Sequence, residues 1–337
     1  MSHSSQTVAQ APFALQIGHL TLSNPFILAP MAGVTDRPFR NLCRRFGAAM
    51  AVSEMVSANP RLKDDRKTLM RTDHGGERGI RAVQILGNEP RDMAEAARLN
   101  VSRGADLIDI NMGCPAKKVC RKAAGSALLR DEDLVRRILD AVVQSVEVPV
   151  TLKIRTGWDP ENRNAVRIGQ IAEDAGIQAL TIHGRTRSCG FSGSAEYRTI
   201  AEVKRSIRIP VIANGDITCP EKALQVLRET GADALMVGRA ALGQPWLFSS
   251  MIRHYEGNPS RLEPEPAEKE TLMLEHLVAL HAFYGEHQGI RIARKHIGWY
   301  FDHLEGPLDA HSAFNQQSSA EGQIRLVREL FQQHLIP

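Results

Sequence analysis

One cysteine stands at the mouth of a strand in the stretch Asp109-Ile-Asn111-Met-Gly-Cys114-Pro-Ala-Lys117-Lys118-Val119. The run from Asp106 to Ile110 reads as a buried strand, and the Gly before the cysteine and the Pro after it force a turn. Lys117 and Lys118 follow at once, with Arg121 and Lys122 a turn later. A thiol ringed by cations suggests proton transfer to a polyanionic substrate. The alternative is that Cys114 merely fills a turn.

Such a thiol must be held by something rigid. Apolar, β-branched runs recur at Phe26–Ala32, Ala48–Val56, Ile80–Leu86, Ala105–Asn111, Val150–Arg155, Ala179–His183, Pro210–Asn214 and Ala234–Gly238. Amphipathic stretches lie between them, clearest at Arg91–Val101, Leu134–Val146, Ala165–Ala175, Glu196–Ser206 and Pro220–Glu229, and weakest around Asn59–Met70. Gly104, Gly176 and Gly231 fall where helix C-caps are expected. Strand and helix alternating eight times predict an α/β fold, a TIM (β/α)8 barrel. A doubly wound open sheet would have fewer strands and a GxGxxG after the first. Here the first strand runs into Ala29-Pro-Met-Ala-Gly33.

Barrel chemistry sits at the C-terminal strand ends. Those ends carry Met31 and Ala32, Glu54, Gln84, Asn111 and Cys114, Lys153 and Arg155, His183 and Arg185, Asn214-Gly215-Asp216, and Gly238-Arg239. A lysine inside Val150-Thr-Leu-Lys-Ile needs an anionic or accepting partner, which a structural salt bridge would also supply. Asn-Gly-Asp and Gly-Arg offer backbone N–H groups beside glycine, where such barrels hold a phosphate. A phosphate-bearing cofactor across the mouth, with Lys153 and Gln84 on its ring, accounts for the set. His183 reads as a phosphate or ring contact, or else as a core histidine. The twelve histidines form no HxH or HExxH pair, so a metal site is not expected.

The chain has 337 residues, 43% hydrophobic and 24% charged, enough for a large domain and a small one. Five cysteines at irregular spacing give neither a disulfide framework nor a zinc pattern. No apolar run approaches the ~20 residues of a membrane span, and residues 1–12 read as a tail without signal-peptide character. A cytoplasmic monomer with no membrane partner is expected. Residues 13–256 form the barrel, and Pro-punctuated 257–267 is a linker. Residues 268–337 form an all-α helical domain with helices at Glu268–Tyr284, Ile290–Leu304 and Ser319–His334. Residues 260–337 hold 7 Lys/Arg against 11 Asp/Glu, which leaves a net basic barrel. Arg291, Arg294 and Lys295 nevertheless share a helix face, either basic by design or simply solvated. Trp299 and Tyr300 read as core.

At this point the sequence resembles the tRNA-dihydrouridine synthases, in particular their bacterial B-type branch. The resemblance rests on Ala29-Pro-Met-Ala-Gly33 with Thr35-Asp-Arg-Pro-Phe39, Ser53-Glu-Met55 and the Asn-Met-Gly-Cys-Pro block. It continues through Leu152-Lys-Ile-Arg-Thr-Gly157, Thr181-Ile-His-Gly-Arg-Thr186, Val211-Ile-Ala-Asn-Gly-Asp-Ile217, Gly231–Arg239 and Arg291-Ile-Ala-Arg-Lys-His296 with Trp299-Tyr300. It covers roughly residues 15 to 300 in register.

The resemblance implies FMN in the barrel mouth, NADPH as reductant, and reduction of the C5–C6 bond of a D-loop uridine in tRNA, position 17 for the B-type, with no DNA partner. FMN would meet Pro30, Met31 and Ala32, with Gln84 and Lys153 near its ring. His183, Asn214, Gly215, Asp216, Gly238 and Arg239 would hold its phosphate end. Cys114 is the implied proton donor and Asn111 a uracil contact. Lys117, Lys118, Arg121, Arg291, Arg294 and Lys295 would meet tRNA. Cys120 departs from the family pattern, where Asn is more usual, and the segment after His303 matches poorly. Two rivals remain: an FMN barrel of the dihydroorotate-dehydrogenase kind acting on a small molecule, and a non-catalytic RNA-binding barrel. The first has no need of the basic mouth; the second has no need of Cys114 and Lys153.

Overall fold

Buried on both faces, the strands of a parallel barrel read as continuous apolar runs, and the computed structural model bears this out for residues 13–258, 263–304 and 309–335, which it describes. Strands β1 (Leu15–Ile17) and β2 (Leu20–Leu22) form an antiparallel hairpin. Strands β3 (Phe26–Leu28), β4 (Met50–Val52), β5 (Val56–Ser57), β6 (Arg81–Leu86), β7 (Leu107–Met112), β8 (Val150–Arg155), β9 (Ala179–His183), β10 (Val211–Asn214) and β11 (Ala234–Val237) are parallel neighbours. Pairing of β4 with β6 closes the sheet, β4 and β5 being two pieces of one barrel strand. The result is an eight-stranded parallel barrel with helices outside.

That break was not expected within Ala48–Val56. It falls at Ser53–Met55, where the Ser53 hydroxyl accepts the Gln84 N–H at 3.2 Å in place of a strand partner. The hairpin β1–β2 was not expected either. Its Ile17 and Leu22 pack with Ile27, Leu107, Ile212 and Ala234 and close the barrel bottom. The helical reading of Asn59–Met70 resolves into a 3-10 turn, Pro60–Leu62, and a helix, Arg66–Arg71. Gly104, Gly176 and Gly231 all have positive φ, as C-cap glycines should.

The C-terminal region has helices Pro266–Tyr284, Glu286–Phe301, Ala310–Gln316 and Ala320–Leu330, the third of them unexpected. Glu265 and Glu268 start the first with a capping box. The expected tail 1–12 and linker residues 259–262 lie outside the described residues. The helical region is not loosely attached. Leu42 and Trp246 share a core with Leu272, Leu277, Ile297, Tyr300 and Phe314. Gly243 (φ +70) lies so close to the Trp299 carbonyl that a Cβ would overlap it. No helix among the described residues is long and apolar enough to cross a membrane.

Candidate active site

The C-terminal strand ends open into one cleft of about 1040 Å³. Pro30, Met31 and Ala32 line it from the turn after β3, and Gln84, Asn111 and Cys114 line it from β6 and β7. Lys153, His183 and Asn214 come from β8, β9 and β10. Gly215, Asp216, Gly238, Arg239 and the rim residue Lys117 complete the set. Strand register brings them together: Asn111 stands beside Lys153 across β7–β8, and His183 beside Asn214 across β9–β10.

Beneath the cleft runs a polar chain that the sequence reading did not anticipate. Thr151 Oγ1 donates to Asp109 at 2.7 Å, and Gln84 Nε2 donates to the other Asp109 oxygen at 2.6 Å. Asn111 Nδ2 donates to Gln84 Oε1 at 2.8 Å, and Asn111 Oδ1 accepts the backbone N–H groups of Gly113 and Cys114 at 3.1 and 3.0 Å. Both ends of the Gln84 amide are therefore committed, and Asn111 holds the cysteine's turn. Its Nδ2 also faces Met55 Sδ at 3.7 Å. Asp109 is 2% exposed, and burial pushes its carboxyl up to about 6 against the bonds from Thr151 and Gln84. Lys153 donates to Asn214 Oδ1 at 2.9 Å, and Asn214 Nδ2 donates to the Met236 carbonyl at 2.7 Å. Burial pushes the Lys153 ammonium down to about 8, opposed by Asp109.

The opposite end of the cleft is cationic. Arg185 makes a two-pronged bond to Asp216 at 3.0 and 2.7 Å, and Arg239 reaches the same carboxylate at 3.3 Å. Burial alone would raise the Asp216 carboxyl; Arg185, the Ala195 N–H and Arg239 outweigh it and hold it below the usual range. The carboxylate is thus spent on protein groups, while among the described residues no protein acceptor takes the N–H of Gly215, Asp216, Gly238 or Arg239. Gly215 (φ +123) lies so close to His183 and Ala195 that a Cβ would stand 3.0 and 2.8 Å from their atoms. Burial and the cations Lys153, Arg155, Arg185 and Arg239 push His183 down to about 2, so its ring is neutral.

Cys114 sits half-buried at the rim. Burial raises its thiol, the Ala116 N–H and Arg155 pull the other way, and the net shift is upward. A thiol so placed is protonated at neutral pH. The cation facing it is Arg155 rather than Lys117 or Lys118. Arg155, 2% exposed, ties the Cys114 turn to the loop after β9, donating to the carbonyls of Gly113, Thr186 and Gly190 at 2.7–2.9 Å. Ser126 donates to the Cys114 carbonyl, and a Cβ on Gly125 (φ +61) would press on that carbonyl at 2.8 Å. Cys120 is closer than its sequence separation suggests: its Sγ lies 3.7 Å from the Cys114 carbonyl oxygen. All five cysteines are free.

The remaining expected residues lie outside the cleft. Lys118 and Arg121 are exposed on and just after the short helix Lys117–Cys120. Arg291 is exposed on helix Glu286–Phe301, Arg294 is partly buried, and Lys295 turns inward to the Gly33 carbonyl. The three do not form one free basic face. Shared helical spacing could not reveal that the barrel packs against one of them.

Comparison with known proteins is direct. The chain matches the family described as dihydrouridine synthase (Dus) over residues 27–335. It is 58% identical over 318 residues to "tRNA-dihydrouridine synthase B" of Pseudomonas aeruginosa, covering 94% of this chain and 96% of that one. The protein of the same description from Shewanella oneidensis is 57% identical, covering 94% and 98%. Among solved structures, a 2-naphthoyl-CoA reductase complex aligns with a TM-score of 0.58 at 13% identity, over 74% of this chain and 52% of that one. Histamine dehydrogenase from Rhizobium sp. 4-9 aligns at 0.57 and 13%, over 79% and 50%. The chain spans about half of those two structures, which share its barrel fold and carry no argument about chemistry. On the family match and on relatives that align over nearly their whole length, the chain belongs to the dihydrouridine synthase family.

Proposed function

We propose that the chain is a tRNA-dihydrouridine synthase that reduces the C5–C6 bond of a D-loop uridine, at position 17, using FMN and NADPH. The observation that carries this reading is the half-buried Cys114 at the rim of a cleft whose far end carries Arg239 and the backbone N–H groups of Gly215, Asp216 and Gly238. The fit to FMN rests on the residues present. Backbone N–H groups at Gly215, Asp216, Gly238 and Arg239, without a protein acceptor among the described residues, suit a phosphate, as does the side chain of Arg239. Lys153 suits an electron-rich ring edge, and Met31 and Ala32 form an apolar wall. When bound, FMN supplies hydride transfer from NADPH to C6 of the uracil.

The chain's own residues do the rest. Cys114 holds the proton that C5 must receive, and a positioned acid contributes typically ~10²–10⁴-fold. Asn111 and Gln84 fix the turn that aims it, and Arg155 closes that turn from the other side. The Asp216 carboxylate, bonded to Arg185, positions Arg239 and leaves the Asp216 N–H for the phosphate. Lys117, Lys118 and Arg121, exposed around the rim, suit RNA phosphates, whereas a small-molecule substrate would leave them idle. A uridine in a folded RNA loop leaves its stack at lower cost than a base in a duplex, which suits a cleft of this depth.

Two results are expected. Protein reconstituted with FMN binds one equivalent and is bleached anaerobically by NADPH; a protein that takes up no FMN contradicts the reading. Arg121→Ala and Arg291→Ala each lower the salt dependence of tRNA binding by a log–log slope of ~0.7–0.9, the signature of one lost phosphate contact. Filter binding across several salt concentrations measures this. Unchanged slopes would mean these arginines are solvated surface.

A further inference from the structure

The helical region reaches the turn after β3 at Gly33. Lys295, carried inward by helix Glu286–Phe301, donates to the Gly33 carbonyl. The Gly33 N–H is taken by the Glu54 carboxylate, which Arg71 holds at 3.3 Å. Charged groups from two separate elements thus hold the backbone N–H and carbonyl of Gly33, and a third, Arg71, holds one of them in place. Glu54 is 4% exposed and Lys295 is partly buried, so this is not a screened surface pair. Burial pushes the Lys295 ammonium down, and Asp36 and Glu54 oppose that shift.

Gly33 lies within the turn that walls the cleft. Thr35 Oγ1 accepts the Met31 N–H at 2.9 Å, and the Val34 N–H returns to the Met31 carbonyl at 2.9 Å, so the turn Met31 to Thr35 is closed on itself. The next residue, Asp36, caps helix Arg37–Arg45 through the Phe39 N–H and accepts from Tyr284 Oη of the helical region at 3.0 Å. His296, beside Lys295 in sequence, stands 3.4 Å from the same carboxylate. The helical region therefore holds the turn at two points, by Lys295 at its middle residue Gly33 and by Tyr284 and His296 at Asp36, just past its end. The break between β4 and β5 delivers Glu54 to this point.

We infer that Lys295 is a positioning residue for the turn Pro30–Gly33 against the cofactor, and not an RNA contact. Through it the helical region, rather than the barrel alone, sets the shape of the flavin wall. The inference rests on the reading of the cleft as a flavin site. Reach and charge both matter, because a cation on a long side chain must meet a carbonyl while facing a buried carboxylate.

The test uses the full chain, wild type and Lys295→Ala, each stripped and titrated with FMN. Losing a charged hydrogen bond that holds the wall is expected to weaken FMN binding roughly tenfold. The visible flavin bands should shift, and Lys295→Arg should restore both. The salt slope of tRNA binding should stay at its wild-type value. Hydrogen exchange at the amides of Met31 to Thr35 should speed up without FMN present, a readout that does not depend on the cofactor. Glu54→Gln, which leaves the helical region untouched, should produce the same loosening if Lys295→Ala fails to fold. Wild-type FMN affinity and spectrum in Lys295→Ala, together with a flattened tRNA slope, would overturn the inference and make Lys295 an RNA contact. A wild-type chain that binds no FMN would instead remove the underlying flavin reading.

Discussion

Cys114→Ala is expected to separate the two halves of the reaction. Reduction by NADPH involves no uracil proton and should run at close to the wild-type rate. Transfer to tRNA needs an acid at C5 and should slow by ~10²-fold or more. The upward shift of the Cys114 thiol fixes the pH dependence of the wild type. A donor must be protonated, so the tRNA half-reaction stays level through neutrality. It falls only on the alkaline side, beyond the ordinary thiol range of about 8.5. In Cys114→Ala that alkaline fall should vanish. Cys120→Ala should change little, since its thiol makes only a weak contact to the Cys114 carbonyl, which Ser126 also holds, and lies away from the cleft. Stopped-flow absorbance of each half-reaction across pH measures all three variants. Equal tRNA-driven rates in wild type and Cys114→Ala would remove the thiol as the acid.

Lys153→Met should act on the other half. The substitution keeps most of the side-chain volume while removing the ammonium that bonds Asn214 and faces Asp109. A hydrogen bond to a charged group contributes about 1.5–3 kcal/mol, so FMN affinity should fall ~10- to 10²-fold. Flavin titration of the stripped protein reads this directly. Unchanged affinity would mean that Lys153 serves only the strand ends. The tRNA salt slope should not move, because Lys153 lies inside the cleft.

The barrel was legible because each of its strands is buried on both faces, so Leu152, Ile182 and Ile212 stand in runs with little polar interruption. The cleft was legible because polar residues gather toward the C-terminal ends of those runs, as at Asn111, Lys153, His183 and Asn214, although Asp109, Thr151 and Thr181 lie deeper. Pairing was not legible. Nothing in the spacing says that Gln84 spends both ends of its amide on Asp109 and Asn111, or that Asp216 is consumed by Arg185. These are contacts between neighbouring strands, set by register. The hairpin Leu15–Leu22 escaped because three-residue strands carry too little periodicity to read. That Lys295 turns inward while Arg291 stays exposed was not legible, because helical spacing defines a face but not what packs against it.

The most direct test of the account is one anaerobic turnover. Wild-type protein reconstituted with FMN is reduced by NADPH and mixed with tRNA lacking dihydrouridine, and the RNA product is mapped by mass. The account predicts a gain of two hydrogens at a single D-loop uridine, position 17, with free uridine and orotate left unreacted. Reduction of those small molecules with the tRNA unchanged would contradict it and point to a small-molecule flavin barrel.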